Sequence, residues 1–513
     1  MTVPIASVCH IASFTPYNQS QCAQIQSNWG FPATHYESSS SIMASGFMKL
    51  RCNPFSSKSS PCAIGNYVEY AVNVTDPANV QRTINFAARH NIRLVIRNTG
   101  HDLLGKSTGA GGLAIWMHHM KDISIVDYVS SQYSGKAMKM GAGVQSFEAS
   151  DAAYKAGLVI VGGNCPTVGL AGGYSQGGGH GQLVSHVGLA ADQVLEWEVV
   201  LANGKLVTAS PTHYSDLYWA LSGGGGGTNG VVVSMTSKAY PELPTASGNL
   251  SFSDKGVSRD TFFAAVAMFI SILPSVRDAG GASVWWLMNT TLSMTPTTIP
   301  GRSATIFNSL FRPLISFLEQ KNIQHSKAYY VNGFPTYYDA YQMMSPPDNI
   351  TDQLAGGRLI PRSVVEQNLG ELVNTFRNVV ERNAGVLISG VMVNSSRVAY
   401  PDNSVNPTWR DALMNVVIGA LFDYTDWESN VARHQLITDI FMPPLEDLTP
   451  GSGAYLNEAD PNQRDWQHAF YGDNYDSLLE IKRKYDPHNR FYAFKAVGSE
   501  AWRLGENGRL CRS

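Results

Sequence analysis

The sequence carries little charge of either sign. Of its 513 residues, 15% are Asp, Glu, Lys or Arg, and the formal net charge is −3. So weak a field does not attract a phosphate backbone, and the one basic cluster, Lys482-Arg483-Lys484, lies in a helical pattern that predicts a solvated face. We therefore expect no nucleic acid partner. Because hydrophobic residues reach 44%, we expect a compactly folded protein.

Long apolar runs and metal-binding motifs are also missing. The longest apolar run, 262–273, is closed by Pro274 and is shorter than the roughly 20 residues needed to cross a bilayer. We expect no transmembrane helix and no membrane partner. The sequence has no H-E-x-x-H, no paired C-x-x-C and no EF-hand loop, so no structural or catalytic metal is expected.

Cysteine is scarce and unevenly distributed. Four of the six cysteines lie within the first 62 residues, at spacings that suit short disulfide-closed loops but leave the pairing open. Six Asn-x-Ser/Thr sequons suit a secreted glycoprotein, at Asn18, Asn73, Asn249, Asn289, Asn349 and Asn394. The opening Met1-Thr2-Val3-Pro4 shows no charged and apolar leader, so the cysteines and sequons alone predict secretion.

The chain is too long for one hydrophobic core and predicts about two to four domain-sized units. From about Tyr67 the pattern indicates strand, helix and strand, with Thr75-Asp76-Pro77 opening the helix, and Asn203-Gly204 predicts a hairpin turn. After Pro241, longer helical periods alternate with apolar runs, which indicates a sheet with helices on one face. The helical periods cover 259–273, 306–322, 363–383 and 475–485.

Two segments have the composition of a ligand-binding backbone. The segment 97–102, RNTGHD, follows a strand end, where successive N–H groups can converge on an anion. Between Gly162 and Gly181 nine of twenty residues are glycine, which lets the backbone approach a flat ring or a pyrophosphate closely. A flexible linker is the alternative, but the apolar residues within and beside the segment disfavour it. Cys165, in the same segment, is alternatively a small buried core residue.

Two generic motifs fit poorly in context. Residues 173–177 match the G-x-S-x-G elbow of serine hydrolases, but glycines flank Ser175 where a strand and a helix are needed. Residues 225–230 match the dinucleotide-binding G-x-G-x-x-G, yet they follow a helical pattern and precede a strand, the reverse of the Rossmann order. A nicotinamide site is therefore disfavoured.

Four motifs in this order resemble the berberine bridge enzyme-like group of the vanillyl-alcohol oxidase flavoprotein family, with a close fit to its fungal members. They are RNTGHD, NCPTVGLAGGYSQGGGHG, DLYWALSGGGGGTNGVVV and the ending YLNEAD…FYGDNYDSLLEIKRKYDPHNRFYAF, and the resemblance spans about 60–502.

The resemblance implies an α+β fold. We expect a PCMH-type FAD-binding domain of two subdomains at 63–243 and a substrate domain at 244–454, whose antiparallel sheet is covered by helices. An N-terminal disulfide-containing extension, 1–62, packs on the FAD domain, and a C-terminal segment, 455–513, returns to it. A monomer is expected.

The resemblance also implies FAD held by two covalent bonds, an 8α-histidyl bond from His101 and a 6-S-cysteinyl bond from Cys165. A ring held in this way need not be enclosed, so we expect an open cleft for bulky substrates. The other residues expected to contact the cofactor are Arg97, Asn98, Thr99, Gly100, Asp102, Thr167, Val168, Gly169, Gly173, Tyr174, Gly177, Gly178, Gly179, His180, Gly181 and Asn489.

The catalytic base departs from the family pattern. In the family, a base takes a proton from the substrate while hydride passes to the flavin N5, and dioxygen then reoxidises the flavin to give hydrogen peroxide. Plant alkaloid-oxidising members use a glutamate on a substrate-domain strand, where only Asn415 or Val416 can be matched here. Tyr455 is the predicted base or orienting donor, and a packed tyrosine is the alternative.

We therefore expect an enzyme that oxidises a small alcohol, sugar or secondary metabolite. Candidate aromatic walls for its pocket are Trp285, Trp286, Tyr329 and Tyr330. Because the carboxylate is missing, a cyclase or isomerase of the same fold, with little or no net oxidation, is the alternative. A serine hydrolase acting through Ser175 is a pattern match only.

Overall fold

The structure is a computed structural model that describes residues 1–326, 330–345, 353–382, 385–396, 399–505 and 508–513. It combines helices with an antiparallel sheet and smaller sheets, which confirms the predicted α+β class.

The first residues form an extension stapled by two disulfides. Cys9 bonds to Cys22 and Cys52 bonds to Cys62, which confirms the disulfides that the cysteine clustering predicts. Its short helices are α1 (Gln19–Asn28), α2 (Ala33–Tyr36) and α3 (Ser45–Met48). Buried Trp29 lies in the small core of this extension.

The next part of the chain contains three sheets. The strands are β1 (Tyr70–Asn73), β2 (Leu94–Arg97), β3 (Leu113–Trp116), β4 (Ile123–Val129), β5 (Ser134–Gly141), β6 (Leu158–Val159), β7 (Val194–Val200), β8 (Leu206–Ala209), β9 (Val231–Lys238) and β10 (Tyr240–Pro241). The helices are α4 (Pro77–His90), α5 (Ser146–Lys155), α6 (Val184–Val187), α7 (Ala190–Gln193) and α8 (Ser215–Leu221). A parallel sheet has the order β1-β3-β2, a larger antiparallel sheet has the order β4-β5-β9-β7-β8, and β6 pairs with β10.

The helix cap and the hairpin turn predicted for this part of the chain are both present. The side chain of Asp76 accepts a hydrogen bond from the backbone N–H of Asn79, and Pro77 occupies the first helical position of α4. Asn203-Gly204 lies in the turn that joins β7 to β8, and Gly204 has a φ of +81° that a residue with a Cβ would adopt only with strain. The predicted hairpin is therefore confirmed.

A seven-stranded antiparallel sheet dominates the third part, in the order β14-β11-β13-β12-β16-β17-β15. Its strands are β11 (Thr245–Ser253), β12 (Ala282–Leu287), β13 (Thr291–Pro300), β14 (Tyr330–Phe334), β15 (Gln353–Pro361), β16 (Val386–Met392) and β17 (Ala412–Leu421). The helices are α9 (Arg259–Asp278), α10 (Ala304–Gln320), α11 (Tyr337–Met344), α12 (Arg362–Gln367), α13 (Leu369–Arg382), α14 (Trp427–Leu436) and α15 (Met442–Leu448).

Two predicted helices differ in their bounds. Helix α9 continues through Pro274 to Asp278, so proline does not end it; its apolar side is held in the core with Phe307 and Phe376. The predicted helix 363–383 is divided at Asn368, whose φ of −128° is not helical. Among the described helices α9 alone is long and apolar enough to span a membrane, but its packing under the sheet is that of a core helix.

The last segment lies against the second part of the chain. It contains α16 (Trp466–Tyr471), α17 (Tyr475–Tyr485), β18 (Trp502–Leu504) and β19 (Leu510–Arg512). The ammonium of Lys482, on α17, is 2.6 Å from the carboxylate of Asp486 and donates to the carbonyl oxygens of Thr228 and Phe491 at 2.7 Å. Both charged side chains are buried, so this pair fastens the segment just before β9.

Replacement of Lys482 by methionine would leave the Asp486 carboxylate buried without its partner. We expect Lys482→Met to lower the free energy of unfolding by about 3–5 kcal/mol. The matched control is Lys484→Met, because Lys484 pairs with Asp216 at 2.6 Å with its side chain 61% exposed, and such pairs contribute little. Urea unfolding followed by tryptophan fluorescence compares the two, and equal losses would contradict the role given to the buried pair.

Candidate functional site

A cleft with a cavity of about 400 Å³ lies between the second part of the chain and the seven-stranded sheet. The turn after β2, the glycine-rich segment and the 226–230 loop form one side. Side chains of β12, β16 and β17 form the opposite side, and 455–458 of the last segment close it. Stretches that are far apart in sequence therefore meet at one site.

The turn after β2 brings His101 into the cleft. Asn98, Thr99, Gly100 and Asp102, which the sequence predicts to contact the cofactor, also line it. Gly100 has a φ of +87°, and an added Cβ there would lie 2.6 Å from a guanidinium nitrogen of Arg97. The carboxylate of Asp102 accepts hydrogen bonds from the backbone N–H groups of residues 104 and 107, which shapes the loop that follows.

Arg97, which the sequence predicts to contact the cofactor, faces the N-terminal extension. Its buried guanidinium donates to the carbonyl oxygens of His35 at 3.3 Å and Ser38 at 3.1 Å and is not part of the cleft lining. Burial lowers the pKa of Arg97 to about 10. The side chain therefore ties the N-terminal extension to the base of the His101 turn.

His101 and Cys165, the two residues predicted to bond to the flavin, both lie beside the hydroxyl of Thr167. Nε2 of His101 lies 2.7 Å from Oγ1 of Thr167, and Sγ of Cys165 lies 3.4 Å from the same oxygen. His101 and Cys165 both line the cleft, whereas Thr167 lies behind them. Burial, followed by the charges of His35 and Arg97, lowers the pKa of His101 to about 3, so its imidazole is neutral.

Glycines bring two backbone segments of the cleft into direct contact. A Cβ on Gly169 would lie 2.4 Å from the side-chain oxygen of Asn98, and a Cβ on Gly226 would lie 2.9 Å from the Cα of Gly173. A side chain at either position would clash, so Gly169 and Gly226 contribute only backbone to the wall of the cleft. The side chains of Val168 and Tyr174, two further predicted cofactor contacts, also line this wall.

Several predicted cofactor contacts lie outside the lining of the cleft. Gly177, Gly178, Gly179 and Gly181 are not part of the lining. A Cβ on Gly181 would lie 2.0 Å from the carbonyl oxygen of Gly162, so this glycine packs against other backbone, whereas Gly178 has a φ of +115°. Asn489 lies in a turn after α17 with a φ of +47°. The density of glycine identified the segment, but it did not distinguish glycines facing a ligand from those facing other backbone.

Other residues also line the cleft, although the sequence patterns did not indicate them. Gly226, Gly227 and Gly230 belong to the motif rejected for its reversed order; they face the cleft because α8 and β9 bring the loop against Gly173. Nζ of Lys106 is buried without a hydrogen-bond partner in the described chain. Burial lowers the pKa of Lys106 to about 8, against the attraction of Asp102.

These features fit an FAD molecule. Gly173, Gly226 and Gly227 line the cleft without side chains, which would leave room there for a flat or elongated group. The ammonium of Lys106, buried without a hydrogen-bond partner among the described residues, would attract a negatively charged group such as a pyrophosphate. His101 and Cys165, from two different stretches of chain, can reach one ring from the same cleft.

The last segment supplies a carboxylate that sequence reasoning missed. Oε1 of Glu458 lies 2.9 Å from Nε2 of His180, and Oε2 accepts a hydrogen bond from the side-chain amide of Asn415 at 2.6 Å. Glu458 and His180 both line the cleft. Asn415 takes the strand position where a glutamate was expected, and it holds a carboxylate from another segment. The contact between Asn415 and Glu458 joins residues far apart in sequence, so only the tertiary structure shows that the carboxylate comes from the last segment.

Tyr455 lines the cleft but is poorly suited to act as a base. Its hydroxyl oxygen accepts a hydrogen bond from the side chain of Asn457 at 2.8 Å, and its ring meets that of His180 edge-on at 5.1 Å. Burial, and then the charge of Glu458, raises the pKa of Tyr455 far above its usual value. The phenol therefore stays protonated, which suits a donor.

The sheet face above the cleft is largely apolar. Trp286, Ser389 and Val417 form one cross-strand row over β12, β16 and β17, and all three line the cavity. Trp285 points to the opposite face, where its buried ring packs 5.9 Å from Phe376, so its prediction as a pocket wall was wrong. Tyr329 and the side chain of Tyr330 lie outside the described residues.

The hydroxyl of Ser175 lies in a part of the segment that faces the protein interior. Ser175 is buried and is not part of the cleft lining. A nucleophilic serine must be reachable by its substrate, so this position does not support the hypothesis of a serine hydrolase.

Similarities to known proteins agree on a flavin-binding fold. The sequence profile described as FAD binding domain matches residues 68–210, and the one described as berberine and berberine like matches residues 454–498. The FAD-linked oxidoreductase sor8 of Hypocrea jecorina is 46% identical over 513 residues, which cover 100% of this chain and 88% of sor8. The bifunctional decalin synthase calF of Penicillium decumbens is 41% identical over 528 residues, which cover 100% of this chain and 90% of calF.

Among solved structures, the VAO-type flavoprotein MtVAO615 of Myceliophthora thermophila C1 superposes with a TM-score of 0.95 at 40% sequence identity. The match covers 100% of this chain and 94% of that one.

The contact between the two glycine loops generates a test. We expect Gly226→Ala to cost about 1–3 kcal/mol of stability, because its Cβ must displace the backbone of Gly173, and to lower the flavin content of the purified protein. The control is Gly370→Ala, whose Cβ meets nothing within 4 Å. Visible absorbance per protein and the thermal midpoint measure both effects; normal flavin content in the Gly226 variant would contradict the described wall.

Proposed function

This chain belongs to the berberine bridge enzyme-like FAD-linked oxidoreductases, and on that premise we propose that it is an oxidase that holds FAD by bonds from His101 and Cys165. The observation that carries the proposal is that both side chains line one cleft beside a wall of bare glycine backbone. FAD bound there would supply the hydride acceptor, with dioxygen as the final acceptor.

In this proposal the proton acceptor is the carboxylate of Glu458. His180 and Asn415 hold its two oxygens at 2.9 and 2.6 Å, so the carboxylate keeps a fixed direction. Its side chain is 31% exposed, whereas that of His180 is 7% exposed, so Glu458 is the member of the pair that a substrate hydroxyl can reach. The protonated hydroxyl of Tyr455 orients the same substrate.

The proposed substrate is a small organic molecule with an oxidisable hydroxyl group on a largely apolar frame. Trp286, Val284, Val391 and Val417 offer apolar surface on the sheet side, and Ser389 is a polar group among them. Such a wall favours a secondary metabolite over a sugar, whose many hydroxyls would be left without partners.

We also propose a domain division, a localisation and an oligomeric state for the whole protein. The division at 62, 243 and 454 is retained, with one core under the seven-stranded sheet and another in the FAD part. Two disulfides suit a secreted glycoprotein. We further propose that the protein is a monomer.

Cyclisation of a secondary metabolite is the second candidate function. It is favoured by the apolar sheet face and by the relative named a bifunctional decalin synthase. An apolar wall folds a flexible chain by burying it, and ring closure of this kind needs no net oxidation.

Covalent attachment is tested directly by acid precipitation of the denatured protein and by peptide mass analysis. We expect the colour to stay with the pellet and the flavin mass to join the peptides of His101 and Cys165. His101→Ala and Cys165→Ala should each retain the other bond, whereas the double variant should lose all bound colour. A colourless wild-type pellet would sink the proposal.

The role of Glu458 is tested by anaerobic flavin bleaching with a panel of apolar alcohols. We expect Glu458→Gln to slow bleaching by roughly a hundredfold or more, because the amide cannot accept the proton. The control is Glu371→Gln, on the exposed side of α13. Equal bleaching rates in the two variants would remove Glu458 from the mechanism, and conversion of a substrate without bleaching would favour cyclisation.

A further inference from the structure

The loop that carries Cys165 is held by the start of helix α5. The backbone N–H of Phe147 donates to the carbonyl oxygen of Pro166 at 2.8 Å, and that of Ser146 donates to Val168 at 2.9 Å. The side-chain amide of Gln145 donates to the carbonyl oxygen of Thr167 at 2.7 Å. Three consecutive carbonyls are therefore fixed, and the direction of the Thr167 side chain is fixed with them.

The hydroxyl of Thr167 faces both attachment residues at once. Its oxygen is 2.7 Å from Nε2 of His101 and 3.4 Å from Sγ of Cys165. A hydroxyl has one proton to donate and can also accept, so it can serve both neighbours. When Nε2–H donates to the hydroxyl oxygen, the lone pair of His101 lies on Nδ1, and the hydroxyl proton is free to point at the sulfur.

We propose that Thr167 positions His101 and Cys165 for attachment to the flavin, by accepting from Nε2 of His101 and donating to Sγ of Cys165. The proposal rests on the proposed function, since it presumes that both bonds form. Thr167 is a positioning residue, because it acts through these two side chains.

The attachment steps balance with dioxygen as the oxidant. At His101 a C–N bond forms at Nδ1, the imidazole loses its Nε2 proton, and the 8-methyl group loses one C–H proton. At Cys165 a C–S bond forms while the thiol proton and the proton on the ring 6-carbon are lost. Each bond leaves two electrons on the ring, and one dioxygen removes them, with the two protons, as hydrogen peroxide.

The position of Thr167 also gives the Nε2 proton a way out. Thr167 is half-buried and lines a second hollow of about 610 Å³, on the far side of its loop from the cleft, against α1 and α2. A proton accepted by the hydroxyl can pass to water in that hollow without crossing the flavin cleft. The same oxygen can then donate to the deprotonated Nε2 of the finished bond.

The test compares Thr167→Val with Thr167→Ser in the full-length flavoprotein. Valine keeps the shape and removes the hydroxyl, whereas serine keeps the hydroxyl. From the value of one hydrogen bond, we expect the valine protein to carry roughly tenfold more unattached His101 and Cys165 peptide than the serine protein. Peptide mass analysis, before and after incubation with added FAD, measures both bonds separately.

The outcomes separate this inference from the proposed function. A wild-type protein without both bonds would overturn the proposed function itself. A wild-type protein with both bonds, and a valine variant with equal attachment at either side chain, would overturn the shared role of Thr167 alone. If the valine variant does not fold, Thr167→Ala provides the same comparison, and equal attachment in the alanine and serine proteins overturns the inference.

Discussion

Direct contact between backbone segments is the constraint on which the rest of this structure depends. Gly226 meets Gly173, and Gly181 meets Gly162, at distances that leave no space for a Cβ atom. These contacts set how far the 226–230 loop can lie from the glycine-rich segment, and so they set the width of the cleft wall. The turn of His101 and the loop of Cys165 then have fixed positions relative to that wall.

The substrate side of the cleft is held in place by strand pairing and not by contacts between glycines. Antiparallel pairing of β12, β16 and β17 aligns Trp286, Ser389 and Val417 in one row, and Asn415 lies on the same face. The last segment then lays Glu458 against Asn415 and His180. The sheet and the backbone wall thus face each other across the cleft. The Glu458 carboxylate lies between them and belongs to the last segment of the chain.

Features set by a few neighbouring residues could be predicted from sequence. The cap at Asp76, the hairpin at Asn203-Gly204 and helix α17 depend on local chemistry and occur where the patterns indicate them. Trp285 and Trp286 show the limit, because adjacent residues of a strand face opposite sides and only the packing of the sheet decides which side is the cleft. Glu458 was missed for a related reason, since nothing local links it to Asn415.

The guanidinium of Arg97 joins the disulfide-stapled extension to the turn that carries His101. Its acceptors, the carbonyl groups of His35 and Ser38, lie in the chain between the two disulfide loops. The segment that holds the base of the His101 turn is therefore flanked on both sides by disulfide-closed loops. A substitution in the extension that displaces either carbonyl would therefore reach the His101 turn through a single arginine, without touching the cleft itself.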